Sequence, residues 1–301
     1  MAATVAPDDA SGARRSRRGV TVQPGRLLLY AVAFVTAVVM MVPFIWAFTS
    51  ALKDNGDIFT YPPVFFPAHP HWEHFVDGWQ SQVGSGPTFT TFTLNTLRIT
   101  LINVGGTVVS CTIVAYGFAR FRFPLRNLLF LVMLSTMMIP YAITLIPQYI
   151  IFTNIGWVNT ILPLTVPGFF ASPYFVFLLR QFFMSIPYDL DEAARIDGAG
   201  SLRILWQVLL PEIRPAVIAM AVLTFIGTWK DFLAPLVYLQ DADKYTIEIG
   251  LTQFYNAYSG QPRWDLLTAV SLVTMIPMVI IFFFASKYIV RGVTLSGMGG
   301  T

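Results

Sequence analysis

The chain has one cysteine, three histidines and few charges: Asp, Glu, Lys and Arg together make up only 12% of its 301 residues. The single thiol, Cys111, can close no internal disulfide and build no thiolate metal cluster, so covalent and metal staples are excluded as the source of the fold. His69, His71 and His74 share one segment, but Pro67 and Pro70 interrupt it, and the common face that metal ligands need is not guaranteed. No metal is assigned. Also lacking are a Gly-rich loop ending in Lys-Ser/Thr, a Gly-x-Ser-x-Gly elbow and a His-Glu-x-x-His helix. Their absence excludes the usual ATP cradle and leaves the chain with no catalytic chemistry of its own. No nucleic-acid partner is expected.

Apolar length is what the chain does have. Hydrophobic residues reach 55% and the mean hydropathy is +0.63, far above an ordinary soluble domain. Stretches of ~20 apolar residues, enough to cross ~30 Å of hydrocarbon, recur along it. The pattern predicts an all-α integral membrane protein with six transmembrane helices at about 27–51, 94–119, 127–152, 161–183, 216–239 and 266–288. Residues 1–26, with Arg14, Arg15, Arg17, Arg18 and Arg26 and no apolar periodicity, read as a disordered cytoplasmic tail before one permease domain over 27–301. The apolar run that follows is too long for a cleaved export signal.

Orientation follows from the basic residues. Arg120, Arg122, Arg126, Arg180, Arg195, Arg203, Arg214, Lys287 and Arg291 fall on the side of the amino tail. The opposite loops hold Lys53, Lys244 and Arg263 among many acids, which predicts that both termini are cytoplasmic. The arginine-rich tail makes membrane lipid a partner on that side. Prolines at 43, 140, 147, 163, 167, 173, 235 and 277 predict kinks, which membrane helices tolerate when neighbours satisfy the freed carbonyls.

The longest loop on the basic side, 184–215, reads as two short helices. Pro187 suits a first turn, Asp189, Asp191 and Glu192 suit the positive end of a helix, and Gly198 suits its stop. Ser201 can cap the second, whose Ile204, Leu205, Val208 and Leu209 form an apolar stripe that requires a partner surface.

Within this loop Glu192-Ala193-Ala194, Asp197-Gly198-Ala199 and Leu210-Pro211 resemble, in order and spacing, the EAA loop of ABC importer permeases. From about residue 27 onward the chain resembles the six-span, maltose-type carbohydrate permeases. Supporting blocks are Ala115 to Pro124, Met138-Ile139-Pro140 with Ile146-Pro147, Thr224 to Pro235, and the ending Tyr288 to Thr294. Met298 to Thr301 departs from the family's usual lysine-glycine end.

The resemblance implies a type I ABC importer permease architecture in the bacterial cytoplasmic membrane, multi-pass and without catalysis of its own. It implies a homologous second permease, two copies of a cytoplasmic ATPase that bind ATP and Mg, and an extracytoplasmic sugar-binding protein. Glu192, Ala193, Ala194, Asp197 and Gly198 would then form the coupling helix that docks in an ATPase cleft. Glu192 would meet a basic residue, the alanines would allow close approach, and Gly198 would make the bend. The cargo so implied is a sugar or oligosaccharide. Glycerol phosphate, polyamine or another polar solute stays open as an alternative, because specificity in this family often lies in the binding protein. An ion-coupled secondary transporter, the rival outside the family, should carry ionisable residues in several spans and inverted repeats.

One such cluster is present, Lys230-Asp231, in a fifth-span motif where the family commonly has asparagine at the first position. Inside a span an ionisable side chain costs roughly a few kcal/mol unless it faces protein or water. Two readings stand: structural pairing with separate neighbours, or a place in the translocation path or its outer gate, with Trp229 stacking on a sugar ring. In the outer loop 241–265, Gln253, Phe254, Tyr255, Asn256 and Tyr258 suggest a reach toward the binding protein, with Tyr255 and Asn256 as candidate contacts.

Overall fold

The computed structural model describes residues 24–82, 86–257, 260 and 262–297. The chain divides after Trp46 into two units. The first supplies most of α1 (Pro24–Ala51), which begins three residues before the expected boundary. Pro24 starts it because proline's fixed φ suits a helix origin and its missing N–H is an orphan there anyway. Of the expected tail, residues 1–23 lie outside the described residues, as do Tyr258 and Met298 to Thr301.

In the second unit α2 (Glu73–Gln80) is a short helix, and α3 (Phe89–Arg120) is a continuous mast longer than the expected second span. The expected third span is broken. It runs as α4 (Arg126–Ser135), a 3-10 turn to Met138, and α5 (Tyr141–Asn154), with a 99° bend. The cause lies at Pro140, whose ring pushes Ile139 out of the helical region to φ −82°, ψ 115°. The expected fourth span comprises α6 (Leu162–Thr165), a 3-10 segment Val166–Phe170, and α7 (Pro173–Ser185). Its break is marked by Ala171 at φ +55° and by Ser172, held extended before Pro173.

The loop 184–215 does contain two short helices, α8 (Asp189–Ile196) and α9 (Ser201–Glu212). α9 joins α10 (Arg214–Trp229) at 84°. The expected fifth span stops at Trp229 and resumes as α11 (Leu233–Tyr238), so Lys230 and Asp231 sit in a break rather than inside a helix. After the short helix α12 (Ile247–Ala257), α13 (Trp264–Gly297) runs well past the expected end at Tyr288.

Among the described residues four helical segments are long and apolar enough to cross a membrane, or up to six if each bent pair is counted as one span. The second bent pair combines α9 with α10, and the sequence had instead assigned α9 to a loop. The arrangement is all-α and multi-span.

α3 is the axis on which three apolar clusters are strung. At its carboxyl end Cys111, Ala115 and Tyr116 pack with Leu179 and Phe183 of α7, Leu205 and Leu209 of α9, and Met220 of α10. At its amino end Phe89 and Phe92 meet Trp229, Phe254 and Val270. Between them Ile99 meets Leu164, Tyr238 and Ile249. Lipid is as apolar as leucine, so close packing and buried polar bonds carry these contacts. Phe169 lies so near Gly106 that a β-carbon there would collide with its ring. Asn103 donates to Thr228 Oγ1 at 3.1 Å, an interhelical bond worth about 0.6 kcal/mol in membrane.

Candidate functional site

The turn between α8 and α9 is built from backbone bonds that only glycine closes without strain. Ala199 N–H donates to the Ala194 carbonyl at 2.9 Å and Gly198 N–H to that of Arg195 at 3.0 Å, a Schellman closure that satisfies the last carbonyls of α8. It places Gly198 at φ +80°. At the other end of α8, Asp189, Asp191 and Glu192 occupy the first turn, where carboxylates suit the positive end of the helix.

Of these carboxylates, Asp191 turns inward. Its side chain is 0% exposed, and Oδ2 lies 3.2 Å from Nη2 of Arg120, the last residue of α3, in a charge contact rather than an aligned hydrogen bond. The same Nη2 donates to the Ile186 carbonyl at 3.0 Å, and the Arg120 guanidinium lies 5.7 Å from the Tyr188 ring centre. Burial pushes the Asp191 carboxyl above its ordinary pKa, while Arg120 and then Arg195 pull it back. Tyr116 Oη donates to the Ser201 carbonyl at 3.2 Å, fastening the start of α9 to α3 as well.

The apolar stripe of α9 finds its partner surface inside the chain: Ile204, Leu205 and Leu209 are fully buried against α3 and α7. What remains outward is the turn itself. Glu192, Ala193, Asp197 and Gly198 are exposed, Ala194 is half-buried, and Ile196 is 86% exposed. Sequence reasoning missed Asp191, Arg120 and Ile196. Asp191 read as one more first-turn acid and Arg120 as one more basic-side charge, and no spacing rule joins residues 71 positions apart.

Around the fifth-span motif the three candidates separate. Trp229 is 3% exposed, stacked on Phe225 at 5.3 Å, and its indole N–H donates to the Thr274 carbonyl at 3.1 Å. The face that would stack on a solute is covered in this conformation. Lys230 is exposed at the carboxyl end of α10, where a cation complements the helix dipole. Asp231 Oδ1 accepts the Ala234 N–H of α11 at 3.4 Å, capping the helix that follows the break. Glu248 of α12 lies within the field of Lys230: burial pushes its carboxyl up and the Lys230 ammonium pulls it down.

α12 is held to α3 by two adjacent polar residues. Asn95 donates to the Asp243 and Tyr245 carbonyls at 2.8 and 3.0 Å, and Thr96 Oγ1 accepts the Ile247 N–H at 2.9 Å. At the far end of α12, Tyr255 and Asn256 are exposed, the Tyr255 ring 5.4 Å from that of Trp264. His71 and His74 stack at 5.1 Å. His71 meets Glu73 at 2.6 Å, and His74 meets the Ala51 carbonyl at 3.0 Å and Asp265 at 3.5 Å.

A family model described as "binding-protein-dependent transport system inner membrane component" matches residues 109–295, which include the α8–α9 turn and the fifth-span break. The sn-glycerol-3-phosphate transport system permease protein UgpE of Yersinia pestis bv. Antiqua (strain Antiqua) is 31% identical over 278 residues, covering 92% of this chain and 97% of that protein. The probable ABC transporter permease protein YurM of Bacillus subtilis (strain 168) is 29% identical over 277 residues, covering 92% and 89%. Among solved structures, a chain of a bacterial ABC transporter involved in import of the acidic polysaccharide alginate superposes with a TM-score of 0.76 at 21% identity, over 88% of this chain and 96% of that one.

Proposed function

The chain belongs to the family of binding-protein-dependent transport system inner membrane components, and from that membership we propose that it serves an ATP-driven importer of an anionic polyol of the sn-glycerol 3-phosphate class. As a member it is a multi-pass inner-membrane permease subunit of an ABC importer, with a transport role and no catalysis of its own. The importer is a multi-subunit complex in which a permease pair, an ATPase and a periplasmic binding protein act together. The relatives favour glycerol phosphate as cargo over the sugar or oligosaccharide expected from the maltose-type resemblance. Both termini and the α8–α9 turn are assigned to the cytoplasmic side, which the distribution of arginines supports.

The observation that carries the coupling reading is the buried Arg120–Asp191 contact. A docking turn on a slack loop would absorb an ATPase movement by flexing. Here the turn is pinned to the end of α3, and α3 packs along α7 and α10, so displacement of the turn displaces the helices around the path. Glu192, Ala193, Ala194, Asp197 and Gly198, with Ile196, form the face offered to the ATPase. Two packings of the broken spans, selected by the ATPase pair, would give alternating access. Lys230, exposed at a helix break beside Glu248, is the cation we assign to the passing phosphate; Trp229 and Asp231 shape the break, and Tyr255 and Asn256 meet the binding protein.

The test is uptake into proteoliposomes of the complete complex with ATP inside and labelled sn-glycerol 3-phosphate, maltose or an acidic oligosaccharide outside, each with its binding protein. The reading expects glycerol phosphate uptake that falls in Glu192→Ala and selectively in Lys230→Asn. Uptake of maltose alone would return the cargo to the sugars, and full coupling in Glu192→Ala would remove the docking role.

A further inference from the structure

Next to the coupling turn, at the same end of α3, the chain reverses through residues 121–125 into α4. Here a concavity of about 400 Å³ is lined by Arg122, Phe123, Leu125, Arg126, Asn127 and Leu128. A third guanidinium, Arg180 of α7, lies over the ring of Phe130 on α4, 4.3 Å from its centre. Arg126 Nη1 donates to the Phe121 carbonyl, just past the end of α3, at 3.2 Å, and Arg180 Nε to that of Phe118 in the last turn of α3 at 3.3 Å. Among the described residues the neighbouring Arg120 has its carboxylate in Asp191, and no carboxylate lies within ion-pair distance of Arg122, Arg126 or Arg180. Three gathered cations without a counter-charge repel one another unless an anion offsets them.

An apolar track begins in the same concavity. Leu125, Leu128, Leu129 and Val132 fall at i, i+3, i+4 and i+7, and are 67%, 54%, 49% and 53% exposed. The track runs along α4, half of a candidate broken span, away from the arginines. A cationic head continuous with an apolar stripe on a membrane helix matches an amphiphile. An acidic protein segment or a free anion would satisfy the guanidinium groups and leave the stripe bare.

We propose that this concavity binds the phosphate of an anionic glycerophospholipid, with the acyl chains lying along the Leu125–Val132 stripe. The inference rests on the chain's membrane location and is independent of the cargo and coupling readings. Sited beside the Arg120–Asp191 contact, the lipid would brace the end of α3 that the coupling turn pulls on.

The measurement is native mass spectrometry of the full chain, with the subunits that co-purify, titrated in mild detergent with phosphatidylglycerol or phosphatidylcholine of equal chain length. Phosphatidylglycerol is expected to be retained preferentially. Arg122→Gln should weaken it about fivefold and Arg122→Gln with Arg126→Gln about 25-fold, the worth of one and two basic side chains at an anionic surface. Arg122→Lys should hold it within about twofold, separating charge from folding. Equal retention of both lipids would overturn the proposal. So would displacement of phosphatidylglycerol by millimolar inorganic phosphate, which would make the site one for free anions. Loss of the ATPase from Arg122→Gln with lipid retention unchanged would assign the surface to a protein contact and equally refute it.

Discussion

Replacing Arg120 by glutamine tests the pinning of the α8–α9 turn most directly. The substitution removes the charge 3.2 Å from a carboxylate that is 0% exposed, together with the Nη2 bond to the Ile186 carbonyl. Stranding a buried ion in this way costs about 3–5 kcal/mol, which for local opening of the turn is roughly 150- to 5,000-fold. Hydrogen–deuterium exchange over residues 188–199 in the assembled complex reads that opening. The defect must also depend on pH. Burial already holds the folded Asp191 pKa above its ordinary value, with Arg120 the main opposing influence, so loss of Arg120 raises it further. A carboxyl whose folded pKa exceeds the unfolded one costs stability when ionised. The defect should therefore be greatest at neutral pH and fade as pH falls below the ordinary Asp pKa of about 3.9, where both states are protonated. The double variant Arg120→Gln with Asp191→Asn makes the pair neutral and should recover most of the protection. Exchange in Arg120→Gln within about threefold of the parent at pH 7, or a double variant no better than the single, would refute the pinning argument.

Three further outcomes are expected. Gly198→Ala forces a β-carbon into φ +80° and should weaken the turn by about 1–2 kcal/mol, read as faster exchange at 194–199 and lower transport-coupled ATP hydrolysis with an intact complex. Trp229→Phe keeps the ring stack and deletes the donor to the Thr274 carbonyl, so thermal stability should fall by about 1–3 kcal/mol while glycerol phosphate selectivity holds; a change in selectivity at unchanged stability would place the indole in the path. In the segment leading into α2, Glu73, with Asp54, holds the His71 pKa above its ordinary value. The contact therefore stabilises that segment below the unfolded pKa and releases it as pH rises through the folded one. Exchange protection around residues 71–75 should drop above neutral pH, and His71→Gln should abolish that dependence.

The sequence made the α8–α9 turn legible because its signals are local. Acids at a helix start and a glycine at its stop act within one or two turns, and the Schellman closure at Gly198 follows from them. It misplaced the breaks, since proline marks where a helix can bend without fixing whether neighbours hold it bent. Pro43 and Pro277 sit inside unbroken helices, while Pro140 accompanies a 99° turn. Lys230 and Asp231 looked like costly charges within a span. The break turns them into residues that complement one helix end and cap the next.

By itself the sequence determined that the chain is helical and belongs in lipid, because hydropathy over ~20 residues is a sum that needs no partner. It also determined where the Glu192–Gly198 motif lies along the chain, because order and spacing are one-dimensional. Only the tertiary structure decided that the α9 stripe is spent on the chain's own core, that Trp229 is covered, and that Asp191 is clamped by Arg120 across 71 positions. Each of these depends on desolvation and on contact between distant segments, and both come into being only when α3, α7 and α10 have packed.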